Sequence, residues 1–220
     1  LDTILNIKIS MLEDLRSGKA VSFAQTALTR ELQENMDPAR EKEKIQPLPL
    51  WDVIRATPRA VVLGDPGAGK STFVRKLLGL QAAAMLKQCD PLPGFADDLL
   101  PVLIVLRELV VDLNWEALEK LSAAQQKKEL LAHIHQHLEH DLKRTSAEAS
   151  IELIQSALAN GKVLLVLDGL DEVPQNQRQA VRQLVSALLS EYQVGRLVIT
   201  CRIRSYTGSA VFENLQTFTI

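Results

Sequence analysis

Between Val61 and Leu78 the chain reads VVLGDPGAGKSTFVRKLL: an apolar run, a glycine-rich turn, then a stretch with helical spacing. Few arrangements accommodate that order. Gly64, Gly67 and Gly69 open backbone conformations denied to residues with a Cβ, so successive N–H groups of the turn can face one anion. The helix that begins near Gly69 adds unpaired N–H groups and the positive end of its dipole. Lys70 stands at the spacing that reaches β- and γ-phosphates, and the Ser71 hydroxyl at that of a magnesium ligand. The segment meets G-x-x-x-x-G-K-[ST], and it follows a strand and opens a helix as the mechanism demands. We therefore expect Gly64, Asp65, Pro66, Gly67, Ala68, Gly69, Lys70, Ser71 and Thr72 to grip a nucleoside tri- or diphosphate.

The remainder of the chain supplies what such a loop is mounted on. Apolar runs recur at Ala60–Leu63, in LPVLIVLREL, in KVLLVLDGLDEV, in GRLVITCR and in LQTFTI, separated by segments of helical character. Those runs are apolar on both faces, which is the pattern of parallel strands covered by helices on each side. The expected fold is a three-layer α/β/α architecture around a mainly parallel five-stranded sheet. The first residues differ: Ile4, Ile7, Met11 and Leu15 recur at helical spacing, Gly18 interrupts, and VSFAQTALTRELQENM resumes. DPAREKEKIQPLPL then reads as a charged, Pro-rich linker, and Trp51 to Thr57 as a short helix ended by Pro58. This gives a helical N-terminal segment and linker over 1–50 and a nucleotide-binding domain over 51–220. A start at LDTILNIK without Met, and an end within a strand, lead us to expect a piece of a longer protein.

A triphosphate site needs a magnesium handle and something to orient water. Asp168 ends an apolar strand, where open α/β sheets place their ligands, and can hold Mg²⁺ facing Ser71. Asp171 and Glu172 follow in the turn, and either could polarise the attacking water. Arg202, just past the end of VITC, is placed to sense a γ-phosphate. Each has a plainer reading: a capping carboxylate for the acids, a surface ion pair for Arg202.

GDPGAGKST (Gly64 to Thr72), LLVLDGLDE (Leu164 to Glu172) and VITCR (Val198 to Arg202), in this order, together resemble the NACHT domains of the STAND class of signal-transduction ATPases, to which the NLR receptors belong. The doubled acidic ending of DGLDE carries most of the likeness. The resemblance implies ATP, ADP and Mg²⁺ as ligands, with the sensor strand lying between the loop strand and the Asp168 strand. It also implies slow hydrolysis, and a switch in which exchange of ADP for ATP permits self-association through the nucleotide domain, as in innate immunity and antiphage defence. It further points to Trp51 to Pro58 as the region beside the base.

Composition narrows the alternatives. A net charge of −2 over 220 residues leaves no evident nucleic-acid surface, which speaks against a DNA motor or clamp loader. No N-K-x-D guanine reader is present, which speaks against a GTPase, whereas a nucleotide-binding adaptor without turnover fits the same motifs. Two cysteines, Cys89 and Cys201, form no metal or disulfide pattern and suit the cytoplasm, and no apolar run approaches a membrane span. His133, His137 and His140 share one helical face; with no cysteine nearby they read as a solvated face rather than a metal site. In RTSAEASIELIQSAL, Thr145 or Ser146 reads as a helix cap, with Glu148 in the first turn.

Overall fold

The computed structural model describes residues 6–8 and 47–220 apart from 112, 146, 148 and 149. Five strands form the parallel body of the sheet: β3 (Arg59–Leu63), β4 (Leu100–Val105), β5 (Val163–Asp168), β6 (Arg196–Cys201) and β7 (Gln216–Thr219). Their spatial order is β7-β3-β6-β5-β4, extended beyond β7 by the short antiparallel strands β1 (Asn6–Lys8) and β2 (Pro47–Pro49). Strand β6 therefore runs between the loop strand β3 and the Asp168 strand β5, as the resemblance implied.

Alternation along each strand divides two cores. Val61, Leu63, Leu165, Leu167, Leu197 and Ile199 face one layer, while Ala60, Val62, Leu164, Val166, Val198 and Phe218 face the other. The first layer holds α5 (Ala123–Arg144), α6 (Ile151–Ala159) and α7 (Arg178–Glu191); the second holds α1 (Leu50–Ala56) and α2 (Lys70–Met85). Short helices α3 (Leu106–Leu109) and α4 (Trp115–Leu118) complete the first layer. Burial on both faces explains why the strands carry so little polar sequence.

Register sets the height of the functional ends. Leu63 pairs with Cys201, Leu167 with Ile199, and Val105 with Asp168, so the carboxyl ends of β3, β4, β5 and β6 finish at one edge of the sheet.

The structure corrects three local readings. Ile7, assigned to a helical repeat, lies in strand β1; Ile4, Met11, Leu15 and the rest of the segment up to residue 46 fall outside the described residues. Thr145 does not open a helix. It closes α5: its backbone N–H and its hydroxyl both donate to the carbonyls of Asp141 and Leu142, carbonyls of the last turn that the helix itself does not pair. Ser146 and Glu148 lie outside the described residues, and α6 starts at Ile151. Of the face shared by His133, His137 and His140, expected in water, only His140 is exposed; His133 and His137 turn toward protein. His133 Nε2–H donates to Leu109 O at 2.6 Å, and the His137 side chain is 11% exposed.

Candidate nucleotide site

The turn after β3 is built by glycines for two different reasons. Gly67 at φ 83° and Gly69 at φ 91° occupy the left-handed region, where a Cβ crowds the backbone. Gly64 does not; a Cβ there would stand 2.9 Å from Ile220 Cγ1 and 3.1 Å from Ala68 Cβ, so a close approach requires it. Gly69 is the N-cap of α2 and no side chain caps that end, which leaves the first N–H groups of the helix without an intrahelical partner. Gly67, Gly69, Lys70, Ser71 and Thr72 line a cavity of about 230 Å³ at this end of the helix. The Lys70 ammonium donates to the carbonyls of Gly64 and Asp65, bridging the loop. Asp65, Pro66 and Ala68 complete the turn, with Ala68 N–H donating to Asp65 O at 3.0 Å.

Asp168 closes β5 at the same edge. Its Oδ1 accepts from the Thr200 hydroxyl, and Gly169, at φ 81°, turns the chain into a 3₁₀ turn over Leu170–Glu172. Both acids of that turn are engaged. Arg202 holds Asp171 twice: Nε lies 2.7 Å from Oδ2, and the backbone N–H donates to Oδ1 at 3.1 Å. The Asp171 side chain is only 7% exposed, whereas the Arg202 side chain is half exposed. Glu172 pairs with Arg107 at 2.7 Å, both side chains exposed, which ties α3 to the turn after β5. The structure thus gathers Asp168, Asp171, Glu172 and Arg202 at the strand ends. It also gives Asp171, Glu172 and Arg202 protein partners.

Three residues that the sequence did not single out belong to this arrangement. Thr200, 1% exposed, is one of the few buried polar side chains among the described residues, and a lone polar residue near the end of LVIT was its signal. Arg107 stands 65 positions from Glu172, a pairing with no local signature. Arg178, at the start of α7, donates to the carbonyls of Val173, Asp171 and Ser205, knitting the acidic turn to the segment after β6. Beside them, burial and the nearby Asp171 carboxylate push the Cys201 thiol up to about 12, so it stays protonated and inert.

A glycine loop between a strand and an uncapped helix, a lysine across it, and an acidic residue ending a strand one removed define a P-loop NTPase. The match of residues 38–199 to the AAA ATPase domain family places the chain in that family. It is a P-loop ATPase. No curated protein and no solved structure matches the chain significantly.

Family membership implies a nucleotide and, as a rule, Mg²⁺. The residues present fit both. The loop offers N–H groups and one ammonium. Ser71 and Asp168 offer two oxygen ligands, which suits an ion that usually takes one or two protein ligands alongside phosphate oxygens. Among the described residues no cluster of three or more His, Cys, Asp or Glu could hold a metal by itself. Nor, among them, is any helix long and apolar enough to cross a membrane.

Proposed function

We propose that this P-loop ATPase is a NACHT-type switch of the STAND class, binding Mg²⁺–ATP or ADP, hydrolysing ATP slowly, and coupling the bound nucleotide to self-assembly of a longer cytoplasmic protein. Lys70 clamps the phosphates, Ser71 and Asp168 hold the metal, Asp171 and Glu172 position water, and Arg202 reads the γ-phosphate. Bound magnesium neutralises charge on the phosphate chain and the leaving group. Residues 51–220 form the nucleotide-binding unit, with residues 1–50 as an N-terminal segment.

The observation that carries this reading is the Asp171–Arg202 pair. The guanidinium that would sense the γ-phosphate is paired with a nearly buried carboxylate of the same site, which also accepts from the Arg202 backbone N–H. A γ-phosphate competes with Asp171 for that guanidinium, whereas a diphosphate supplies no such competitor. Loss of the pair would free Asp171 and shift the segment after β6, which Arg178 ties to α7. A site whose water-positioning acids are both paired is also suited to slow turnover.

Light scattering of the chain with ADP and with a non-hydrolysable ATP analogue tests the switch. The mass is expected to rise with the ATP analogue alone, and Arg202→Ala is expected to abolish the difference. Equal masses with both nucleotides would remove the switch and leave an ATPase. The match to the AAA ATPase domain family is equally compatible with one rival, a mechanical ATPase acting on nucleic acid. DNA-stimulated turnover would support it.

A further inference from the structure

Thr200 is buried, and it lies outside both the phosphate loop and the acidic turn. A hydroxyl in a core strand is costly unless its hydrogen bonds are satisfied. Here its acceptor and donor roles are both filled, and each by a single partner. The Gly169 N–H donates to Thr200 Oγ1 at 2.9 Å, occupying a lone pair, and the single hydroxyl proton goes to Asp168 Oδ1. Among the described residues Asp168 Oδ2 has no hydrogen-bond partner. The hydroxyl therefore fixes which carboxylate oxygen is committed and which is left.

We propose that Thr200 is the residue that positions the metal-binding carboxylate: its hydroxyl pins Asp168 through Oδ1 and reserves Oδ2 for Mg²⁺. The proposal rests on the reading of Asp168 as the metal carboxylate. The same hydroxyl accepts from the backbone that leads into Asp171 and Glu172, so it also fixes where the acidic turn departs from β5. Partners of this kind orient a ligand without touching the metal, and removing them typically weakens metal binding by roughly 10- to 100-fold.

The experiment titrates the chain with a fluorescent ADP analogue in excess Mg²⁺ and in EDTA; the ratio of the two affinities reports the metal. Thr200→Val keeps the shape and loses the hydroxyl. It is expected to lose Mg²⁺ affinity by roughly 10- to 100-fold, while the EDTA affinity, which reports the phosphate loop alone, is unchanged. Thr200→Ser retains the hydroxyl and is expected to keep the wild-type ratio. A valine variant with the wild-type ratio, or a serine variant without it, overturns the proposal. Should the valine variant fail to fold, Thr200→Ala carries the same prediction and the serine variant remains decisive. Asp168→Asn separates this proposal from the reading beneath it. An intact ratio in that variant, or equal affinities with and without Mg²⁺ in the wild type, overturns the metal role of Asp168. Loss in Asp168→Asn together with an intact ratio in Thr200→Val overturns only the role of Thr200.

Discussion

Gly64, Gly67 and Gly69 occupy one loop yet answer to different constraints, and substitution separates them. Alanine at Gly69 must adopt φ near 91°, which costs about 1–2 kcal/mol. For a chain of this size that lowers Tm by roughly 2–8 °C. Because Gly69 also presents the start of α2, Gly69→Ala is expected to weaken nucleotide binding as well. Gly64→Ala meets Ile220 Cγ1 and Ala68 Cβ instead, so its cost is one of packing against the residue that follows β7. Thermal melts alongside nucleotide titrations distinguish the two. Arg178 is the other residue with a disproportionate share. Its removal leaves the carbonyls of Asp171, Val173 and Ser205 without a donor, and Arg178→Ala is expected to cost about 1–3 kcal/mol.

Strand β5 and its neighbours convert sheet register into site geometry. Val163 to Leu167 are all buried, so Leu167→Ala is expected to destabilise by about 2–5 kcal/mol in denaturant unfolding, without touching the nucleotide directly. At α3, just past β4, the expectation reverses. The Arg107–Glu172 pair is solvent-exposed and contributes at most about 1 kcal/mol to stability. Arg107→Ala should leave the fold intact and release Glu172, raising ATP turnover by up to about fivefold; a lower rate would contradict a water-positioning role for Glu172. Helix α5 carries the pH dependence. His137 Nε2 is buried without a hydrogen bond, 3.4 Å from Asp141 Oδ2, and burial lowers its pKa from the ordinary 6.5. Asp141 and Glu108 oppose that shift, while His133 and His140 reinforce it. Below about pH 6.5 the unfolded chain takes up a proton that the folded chain resists, so stability falls as the pH drops through that range. Chemical denaturation at pH 7.5 and pH 5.5 should reveal the loss, and His137→Leu should reduce it.

In the whole molecule, what the sequence made legible was whatever depends on neighbours along the chain. The five parallel strands were visible because each is a short run apolar on both faces, and the phosphate loop because its glycines, lysine and serine are consecutive. Asp168 was visible because it ends such a run. What escaped depends on pairing across the sheet. Thr200 looks like an ordinary strand-forming residue until β6 is placed beside β5, and Arg107 is unremarked until the pairing of β4 with β5 sets α3 beside Glu172. Histidines 133 and 137 looked solvated because helical spacing shows which residues share a face, not what covers that face. Ile7 belongs to a strand for a related reason: its partners, Leu48 and its neighbours, lie some forty residues away in sequence.

On the proposed reading, the loop after β3 and the carboxylate ending β5 hold one magnesium nucleotide between them. Calorimetric titration of Mg²⁺–ATP into the chain and into its Lys70→Ala variant tests this most directly. Clear binding to the wild type is expected, with a loss of at least tenfold in affinity for the variant, the equivalent of about 1.4 kcal/mol for one charge-assisted contact. Equal affinities for the two proteins would contradict it.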